Sequence, residues 1–294
     1  MRCTAIVPAY LAENTIARTL RSLVEDNADA IERVITVCSP GDSTSEIARR
    51  FDGVDVVAPC ERLSAGRARA VGREQAPSAR LLMFVDADSA LDAGAVGTLI
   101  DALDARGLDA VGAAIVREGG GGVAWLRHLL EFKESEVGVP AANPPMLPSA
   151  AFLCRADVYD RAGGFPDLWP GEDLVLCGRL RAAGARLAKI DSAVARHLHP
   201  DGLGTFLAHQ RRLGATSARA RLEVEMPGRV FVARPWLVPL LVAARAGRGV
   251  AWVARYRRRE LGRFAALAPI YLAGLASWGL GFASVAVRGM GERT

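Results

Sequence analysis

Residues 81–88 read Leu-Leu-Met-Phe-Val-Asp-Ala-Asp, five apolar residues followed by two carboxylates one position apart. An uninterrupted apolar run of this kind predicts a buried strand that ends at the edge of a sheet. In open α/β sheets, ligands bind beyond the carboxyl ends of the strands, and paired acids there suit a hard divalent cation that holds phosphates. The alternative is that Asp88 or Ser89 caps a helix beginning near Asp92. Capping explains one acid but not both, so we favour the metal site.

The chain on both sides of this stretch alternates between strand and helix patterns. Strands are predicted at residues 4–9, 34–37, 54–58, 110–117, 150–154 and 186–190, and helices at 13–24, 44–51, 64–74, 92–106, 125–137 and 174–183. A proline-rich loop is expected around residues 143–148. Such alternation is typical of an α/β fold with a mostly parallel sheet flanked by helices.

Length and composition favour a globular protein with a large core. The chain has 294 residues, of which 51% are hydrophobic, and a formal net charge of +5. Its five cysteines (Cys3, Cys38, Cys60, Cys154 and Cys177) have no paired spacing, which argues against a disulfide framework or a zinc site and suits a reducing compartment. The first residues lack the pattern of a secretory signal, so we expect most of the protein to lie in the cytosol.

The C-terminal part of the chain is apolar enough to meet a membrane. Residues 264–287 contain no charged side chain over 24 positions, and a helix of that length, about 36 Å, spans a bilayer with some tilt. Residues 230–244 are also apolar but shorter, and Arg234, Pro235 and Pro239 interrupt them. That second segment is predicted to be interfacial or re-entrant.

A basic stretch lies between these two apolar segments. From Arg245 to Arg263, seven arginines face a single acid, Glu260. A basic run by itself is a solvated face or a nucleic-acid patch, but apolar neighbours favour a membrane surface, and we expect no nucleic-acid partner. The positive-inside rule then places this stretch on the cytoplasmic side, where it would meet anionic headgroups.

A second pair of acids, Glu172-Asp173, precedes the helix predicted at 174–183. The helix dipole favours acids at an N-terminus, so capping alone would explain them. The functional alternative is a general base that removes a proton from an acceptor hydroxyl while a new bond forms. With a cation-bound diphosphate leaving group at Asp88, these acids would supply both halves of a group-transfer reaction.

Five segments, in this order, resemble motifs of the family 2 inverting glycosyltransferases, which have the GT-A fold and use nucleotide-diphospho-sugars. They are residues 6–14 (IPAYNEE in the family), 66–72 (GxARNxG), 84–88 (DxD), 162–166 (GGF) and 171–184 (EDxxLxxRLxxxG). The resemblance covers residues 3–215. It implies a GT-A glycosyltransferase domain at 1–215, followed at 216–294 by an interfacial and transmembrane helical region whose spanning helix is 264–287.

The resemblance also implies roles for the matching residues. Asp86 and Asp88 would hold Mg²⁺ or Mn²⁺ on the diphosphate, with His197 or His199 as a further contact. Asp173 would be the catalytic base, with Glu172 as the second candidate. The donor would be bound by residues of the first loop, the 66–72 helix and the DxD strand, namely Pro8, Ala9, Tyr10, Glu13, Arg67, Arg69 and Asp86.

Two departures from the family pattern affect the expected donor and product. Where the family has acids after its second strand, this chain has Cys38 and Ser39, and Asp42 would take over the contact with the nucleotide. Processive members carry QxxRW, whereas Gln210-Arg211-Arg212 lacks the tryptophan, which argues against a processive synthase. These three residues would still contact the diphosphate or a lipid phosphate, since arginine suits phosphate oxygens.

The sequence therefore predicts a metal-dependent inverting glycosyltransferase of the cytoplasmic membrane, with its catalytic domain facing the cytosol. Its partners would be a nucleotide-diphospho-sugar and a lipid or lipid-linked glycan acceptor. Two alternatives remain open. One is a catalytically degenerate, membrane-tethered module that binds nucleotides or glycans, and the other is a related nucleotidyltransferase, although the chain lacks the glycine-rich basic loop that such an enzyme needs after its first strand.

Overall fold

Eight strands form one sheet in the part of the chain that the structure describes, residues 1–140 and 146–291 of a computed structural model. The strands are β1 (Cys3–Ala9), β2 (Ile31–Cys38), β3 (Val54–Val57), β4 (Leu81–Val85), β5 (Ser89–Leu91), β6 (Ala110–Glu118), β7 (Ala151–Arg155) and β8 (Leu187–Leu198). Part of the loop expected at 143–148 lies outside the described residues.

The chain divides into two compact units. The first consists of Met1–Glu118 and Glu134–Leu198, and the second of Gly119–Lys133 and the residues from 199 onward. The first unit contains the whole sheet. The functional boundary predicted at residue 215 stays a prediction.

The sheet has the order β3-β2-β1-β4-β7-β6-β8-β5. Strand β1 is parallel to β2 and β4, and β2 is parallel to β3, as the strand–helix alternation predicts. Strand β7 is antiparallel to both β4 and β6, so the sheet is mixed rather than parallel throughout. An apolar run has the same pattern in either direction, which is why the sequence does not reveal this reversal.

Two strand segments differ from the sequence prediction. Strand β8 was expected at 186–190 but continues to Leu198, and the short strand β5 was not expected at all. They pair with each other antiparallel, with Ser89 opposite His197 and Leu91 opposite Ala195. This ladder lies next to the predicted metal site, because β5 begins directly after Asp86 and Asp88, the two acids that follow β4.

Helices cover the sheet and surround its core. In the first unit they are α1 (Ile16–Val24), α2 (Thr44–Ala48), α3 (Ala65–Glu74), α4 (Ala95–Ala105), α6 (Ala156–Arg161) and α7 (Glu172–Ala182), and α5 (Gly122–Glu131) belongs to the second unit. All five residues of β4 are buried. The Phe84 ring packs against Phe165 and Tyr159 with centroid distances of 4.9 and 5.3 Å, which fixes the end of β4 in the core.

The second unit is helical, with α8 (Leu203–Glu223), α9 (Arg229–Ala233), α10 (Val238–Tyr256), α11 (Leu261–Ala266) and α12 (Ala268–Gly291) following α5. The predicted spanning helix 264–287 is divided, since α11 ends at Ala266 and α12 begins at Ala268. Two helical stretches are long and apolar enough to cross a membrane, Pro235–Tyr256 with mean hydropathy 1.4 and Ala268–Val287 with 1.6.

Helices α8 and α12 approach each other backbone to backbone. A Cβ added at Gly214 would lie 1.9 Å from the carbonyl oxygen of Trp278, and one at Gly281 would lie 1.9 Å from that of Arg211. The Ser277 hydroxyl donates a hydrogen bond of 2.8 Å to the carbonyl of Leu207. Glycine is therefore required at both crossing points, and the two helices run side by side.

Candidate active site

Three metal-ligating side chains meet at the end of β4. The Nε2 atom of His197 lies 3.3 Å from Oδ1 of Asp88 and 4.0 Å from Oδ2 of Asp86, and one ligand atom from each of the three residues lies within 4.8 Å of the others. Strand β5 creates this arrangement, because its ladder with β8 places His197 opposite Ser89. Two carboxylates and an imidazole form a donor set that a divalent metal accepts.

The capping interpretation of Asp88 is wrong. Residues 89–91 are a strand instead of the start of a helix, and α4 begins at Ala95 after Gly94. Of the two histidines considered, His197 lies beside the acids. His199 belongs to the second unit, where its Nε2 lies 3.1 Å from Nδ1 of His128.

Arg69 joins the acids that follow β4 to the second acidic pair. Its side chain is 1% exposed, and Nη1 donates a hydrogen bond of 2.6 Å to Oε1 of Glu172. Nη2 donates to Oδ1 of Asp86, and the guanidinium lies 5.0 Å from the centre of the Phe165 ring. One buried cation therefore bridges two acids that lie far apart in the sequence.

The glycines of the 66–72 motif let Arg69 reach this position. A Cβ at Gly66 would lie 1.9 Å from the carbonyl oxygen of Pro166, and a Cβ at Gly72 would lie 2.4 Å from the Ile6 side chain. Helix α3 can therefore pack closely on β1 and on the turn before α7 only because both positions lack a side chain. Ser64 caps the same helix by accepting a hydrogen bond from the Arg67 amide at 3.1 Å.

Glu172 and Asp173, the first two residues of α7, have different environments. Glu172 is buried and bonded to Arg69, whereas Asp173 is half-buried. Burial, together with the neighbouring Glu172 carboxylate, raises the pKa of Asp173 to about 7, against the opposing charge of Arg69. A carboxyl group that titrates near neutral pH is suited to exchange a proton with substrate.

Asp42 and Glu13, which the sequence predicts to bind the donor, form hydrogen bonds between the loops that follow β1 and β2. Asp42 accepts hydrogen bonds of 3.1 Å from the amides of both Glu13 and Thr44. Burial alone would raise the pKa of Asp42, but these hydrogen bonds outweigh it and lower the pKa. The Glu13 carboxylate accepts a hydrogen bond of 2.6 Å from the Ser43 hydroxyl. Both acids therefore hold the loop after β1 against the loop after β2, in addition to any contact with a donor.

Other predicted donor residues have distinct surroundings. Pro8 and Ala9 end β1, and the exposed ring of Tyr10 lies under the Arg62 guanidinium, 4.2 Å from the ring centre. Arg62 was not singled out from the sequence, because no motif marks it. Ser39, where the family has an acid, is buried and accepts a hydrogen bond of 3.1 Å from the Leu63 amide.

Arg67 does not join Arg69 in its contacts with Asp86 and Glu172. It is exposed and pairs with Glu74 at 2.8 Å along the outer side of α3. Positions two residues apart on a helix point in different directions, so the burial of Arg69 turns Arg67 outward. A donor contact by Arg67 would require breaking this ion pair.

Gln210, Arg211 and Arg212 lie on α8 in the second unit. Gln210 is 1% exposed and donates a hydrogen bond of 3.0 Å to Glu131, and His209 lies 3.4 Å from the same carboxylate. A diphosphate contact by Gln210 would require breaking that bond, whereas Arg211 and Arg212 are exposed. No sequence signal pointed to Glu131, which precedes its partners by more than seventy residues.

Comparison with solved structures defines the class of fold. The chain is similar to the mannosyltransferase PcManGT from Pyrobaculum calidifontis, solved with GDP-Man and Mn²⁺, with a TM-score of 0.66 and 19% identity over 100% of this chain and 89% of that one. It is also similar to S. aureus TarS 1-349 in complex with UDP-GlcNAc, with a TM-score of 0.57 and 16% identity over 99% and 92% of the two chains. The predicted GT-A fold is confirmed.

The sequence comparisons identify the family. The model of Glycosyl transferase family 2 matches residues 4–163, so the chain belongs to that family, as its motifs predicted. It is 32% identical over 151 residues to the pre-mycofactocin glycosyltransferase of Mycobacterium tuberculosis, a match that covers 51% of this chain and 30% of that protein. The chain thus spans less than a third of the curated relatives it matches.

Proposed function

We propose that this protein is an inverting glycosyltransferase that moves a sugar from a nucleotide-diphospho-sugar to a hydroxyl acceptor. The observation that carries the proposal is the bridge made by Arg69, whose guanidinium binds both Asp86 and Glu172. Through this bridge, the acids suited to a metal-bound diphosphate and the acids suited to proton removal belong to one hydrogen-bonded network. A binding module without catalytic activity would not need the second acidic pair, Glu172 and Asp173.

Asp86, Asp88 and His197 fit a divalent cation, since their ligand atoms already lie within 4.8 Å of one another. When bound, Mg²⁺ or Mn²⁺ would neutralise charge on the diphosphate leaving group. Carboxylates suit either ion, and the imidazole favours Mn²⁺ as the softer of the two. The two similar structures named above were solved with GDP-Man and UDP-GlcNAc, so a nucleotide-diphospho-sugar is the donor class we propose.

Asp173 would act as the base, and Glu172 would position it. The acceptor hydroxyl oxygen forms a bond to the anomeric carbon while the bond from that carbon to the diphosphate oxygen breaks. The hydroxyl proton goes to the Asp173 carboxylate, and the electron pair leaves with the diphosphate. One displacement of this kind inverts the anomeric configuration. Glu172 is already committed to Arg69 at 2.6 Å, which leaves Asp173 as the acid free to change its protonation state.

The acceptor would be a lipid or lipid-linked glycan, and the exposed apolar helices of the second unit support this part of the proposal. A core helix of a soluble protein is mostly buried, yet only 28% of the apolar window in α10 and 44% of that in α12 are buried. Leu240 and Leu280 are 63% and 61% exposed. Exposed apolar side chains in such number favour a membrane or a partner protein.

We propose that this unit lies in the membrane surface instead of spanning the bilayer. Helix α8, which packs along α12 from Gly274 to Ala286, carries the exposed Arg211, Arg212 and Arg219. If α12 crossed the bilayer, these arginines would enter it too, at a cost of about 2.5–3.5 kcal/mol each near the centre. An interfacial position leaves them in water, and the anionic lipids of the cytoplasmic leaflet favour that face of the membrane for a basic surface.

Donor binding and hydrolysis would test the proposal. Detergent-solubilised protein is titrated with UDP-, GDP- and dTDP-sugars with and without Mn²⁺, alongside Asp88→Ala, Asp173→Asn and the control Asp92→Asn, an exposed acid that pairs with Arg196 at 2.7 Å. We expect cation-dependent binding of one donor, lost in Asp88→Ala and retained in Asp173→Asn, which loses turnover. If the folded protein binds no donor, the transferase proposal fails and the degenerate module is favoured.

A further inference from the structure

A pocket in the second unit gathers three cations against an apolar wall. It is lined by Lys133, Arg245, Arg248 and Tyr271 and by leucines of α5 and α12, and its space, open solvent included, is about 290 Å³. None of the described residues that line it is acidic. The described residues that line the pocket therefore give it a positive charge.

The guanidinium of Arg245 is fixed in place from the protein side. It stacks over the Trp278 ring at 4.2 Å from the ring centre, and its Nε is buried with no hydrogen-bond partner among the described residues. A buried donor on a charged group that lacks a partner is costly. The unsatisfied nitrogen indicates that an acceptor from outside the chain completes this site.

Nearby like charges strengthen this conclusion. Arg248 and Arg221 lie close enough to Arg245 for their charges to repel it. The pocket also depends on a glycine of α10, because a Cβ at Gly249 would lie 1.9 Å from the Tyr271 hydroxyl. Holding guanidinium groups together against their repulsion favours an anion with several oxygens, and phosphate has the geometry that arginine prefers.

We propose that this pocket binds the phosphate of an anionic lipid headgroup. The inference rests on the proposed attachment of the second unit to a membrane surface. Arg245 and Arg248 lie in the middle of α10, where spanning would place them at the bilayer centre, whereas an interfacial helix places them at the depth of the lipid phosphates. Leu129, Leu130 and Leu275 in the pocket wall would then contact the apolar part of the same lipid.

Vesicle binding by the full chain tests the assignment. Phosphatidylcholine vesicles with and without phosphatidylglycerol are titrated with the wild type, Arg248→Gln, Arg245→Lys and the control Arg258→Gln. Arg248 and Arg258 are both exposed arginines of the same basic stretch, but only Arg248 lines the pocket, and its exposure means that the variant should fold. Inorganic phosphate alone, followed by thermal unfolding, forms a second arm that separates free phosphate from lipid.

We expect the wild type to prefer phosphatidylglycerol vesicles. Loss of a general surface charge in Arg258→Gln should weaken binding about fivefold, whereas loss of a charge-assisted hydrogen bond in Arg248→Gln should weaken it about tenfold to a hundredfold. Arg245→Lys keeps the charge but loses the paired N–H donors of the guanidinium, so it should also weaken binding more than the control Arg258→Gln does. If Arg248→Gln and Arg258→Gln weaken vesicle binding equally, the pocket is not the lipid site, although the protein still attaches to the membrane.

Two further outcomes are decisive. If the wild type binds neither kind of vesicle, membrane attachment fails and the lipid site fails with it. If inorganic phosphate stabilises the wild type but not Arg248→Gln, while vesicle binding is insensitive to Arg248, the pocket takes free phosphate and the lipid assignment is wrong.

Discussion

Removal of the Arg69 guanidinium should destabilise the first unit more than any surface substitution. Arg69→Met keeps most of the side-chain volume but leaves the carboxylates of Asp86 and Glu172 without their shared cation. Breaking a buried ion pair from one side costs about 3–5 kcal/mol, because the remaining charge stays desolvated. Arg69 is 1% exposed and Glu172 5%, so water cannot replace the lost partner.

A matched control lies two residues away on the same helix. Arg67→Met breaks an ion pair with Glu74 whose side chains are 44% and 55% exposed, and exposed pairs contribute at most about 1 kcal/mol. Both variants make the same chemical change in α3, so helix propensity cancels between them. The comparison isolates burial as the cause.

Urea unfolding of the two variants would measure the difference in free energy of unfolding. The double variant Arg69→Met with Glu172→Gln should recover part of the loss, since removing the carboxylate removes the unpaired charge, and coupling of about 1–3 kcal/mol is expected for groups in direct contact. If Arg69→Met unfolds at the same urea concentration as Arg67→Met, the buried bridge does not contribute to stability and the reasoning is refuted.

Three other perturbations have defined outcomes. Asp88→Ala removes one of the three proposed ligands, so calorimetric titration should give Mn²⁺ affinity more than about tenfold lower, while Asp92→Asn should match the wild type. With a pKa of about 7 for Asp173, kcat/KM of the wild type should rise with pH through that region, whereas Asp173→Asn should show no turnover at any pH measured. Since that value lies above the ordinary 3.8, the unfolded chain ionises first, so the wild type should lose stability relative to Asp173→Asn as the pH rises between these two values. Gly66→Ala, whose Cβ would lie 1.9 Å from a proline carbonyl oxygen, should unfold at a lower temperature, whereas Gly97→Ala, with nothing within 4 Å, should gain about 1 kcal/mol from helix propensity.

The sequence was sufficient to locate the elements whose patterns are local. The apolar run of β4 is five buried residues in the structure. The helix predicted at 13–24 is α1, whose Ile16, Leu20 and Leu23, spaced by four and three residues, are buried on one face. The position of the two acids after β4 followed from the same run. These inferences succeed because burial of a continuous segment leaves its mark within a few residues.

The features that the sequence could not supply depend on distant partners. Strand β5 is three residues long, too short for a recognisable period, and forms because β8 provides its hydrogen bonds. The bond between Arg69 and Glu172 joins residues 103 positions apart. Similarly, the composition of residues 264–287 reveals apolarity but not that α8 packs along the helix, which is the observation that favours an interfacial position over a spanning one.

The charges of the site explain why its parts depend on one another. Asp86, Glu172 and Asp173 face Arg69, three negative charges against one positive, which leaves a net of −2 when all four are ionised. Burial and this excess of negative charge together keep a proton on Asp173 near neutral pH. Any positive charge placed at Asp86 and Asp88 would favour the ionised form of Asp173 as well. Asp86 and Asp173 are thus coupled electrostatically through the same network, so under the proposed mechanism a cation bound on the donor side would favour the ionised Asp173 that accepts the proton.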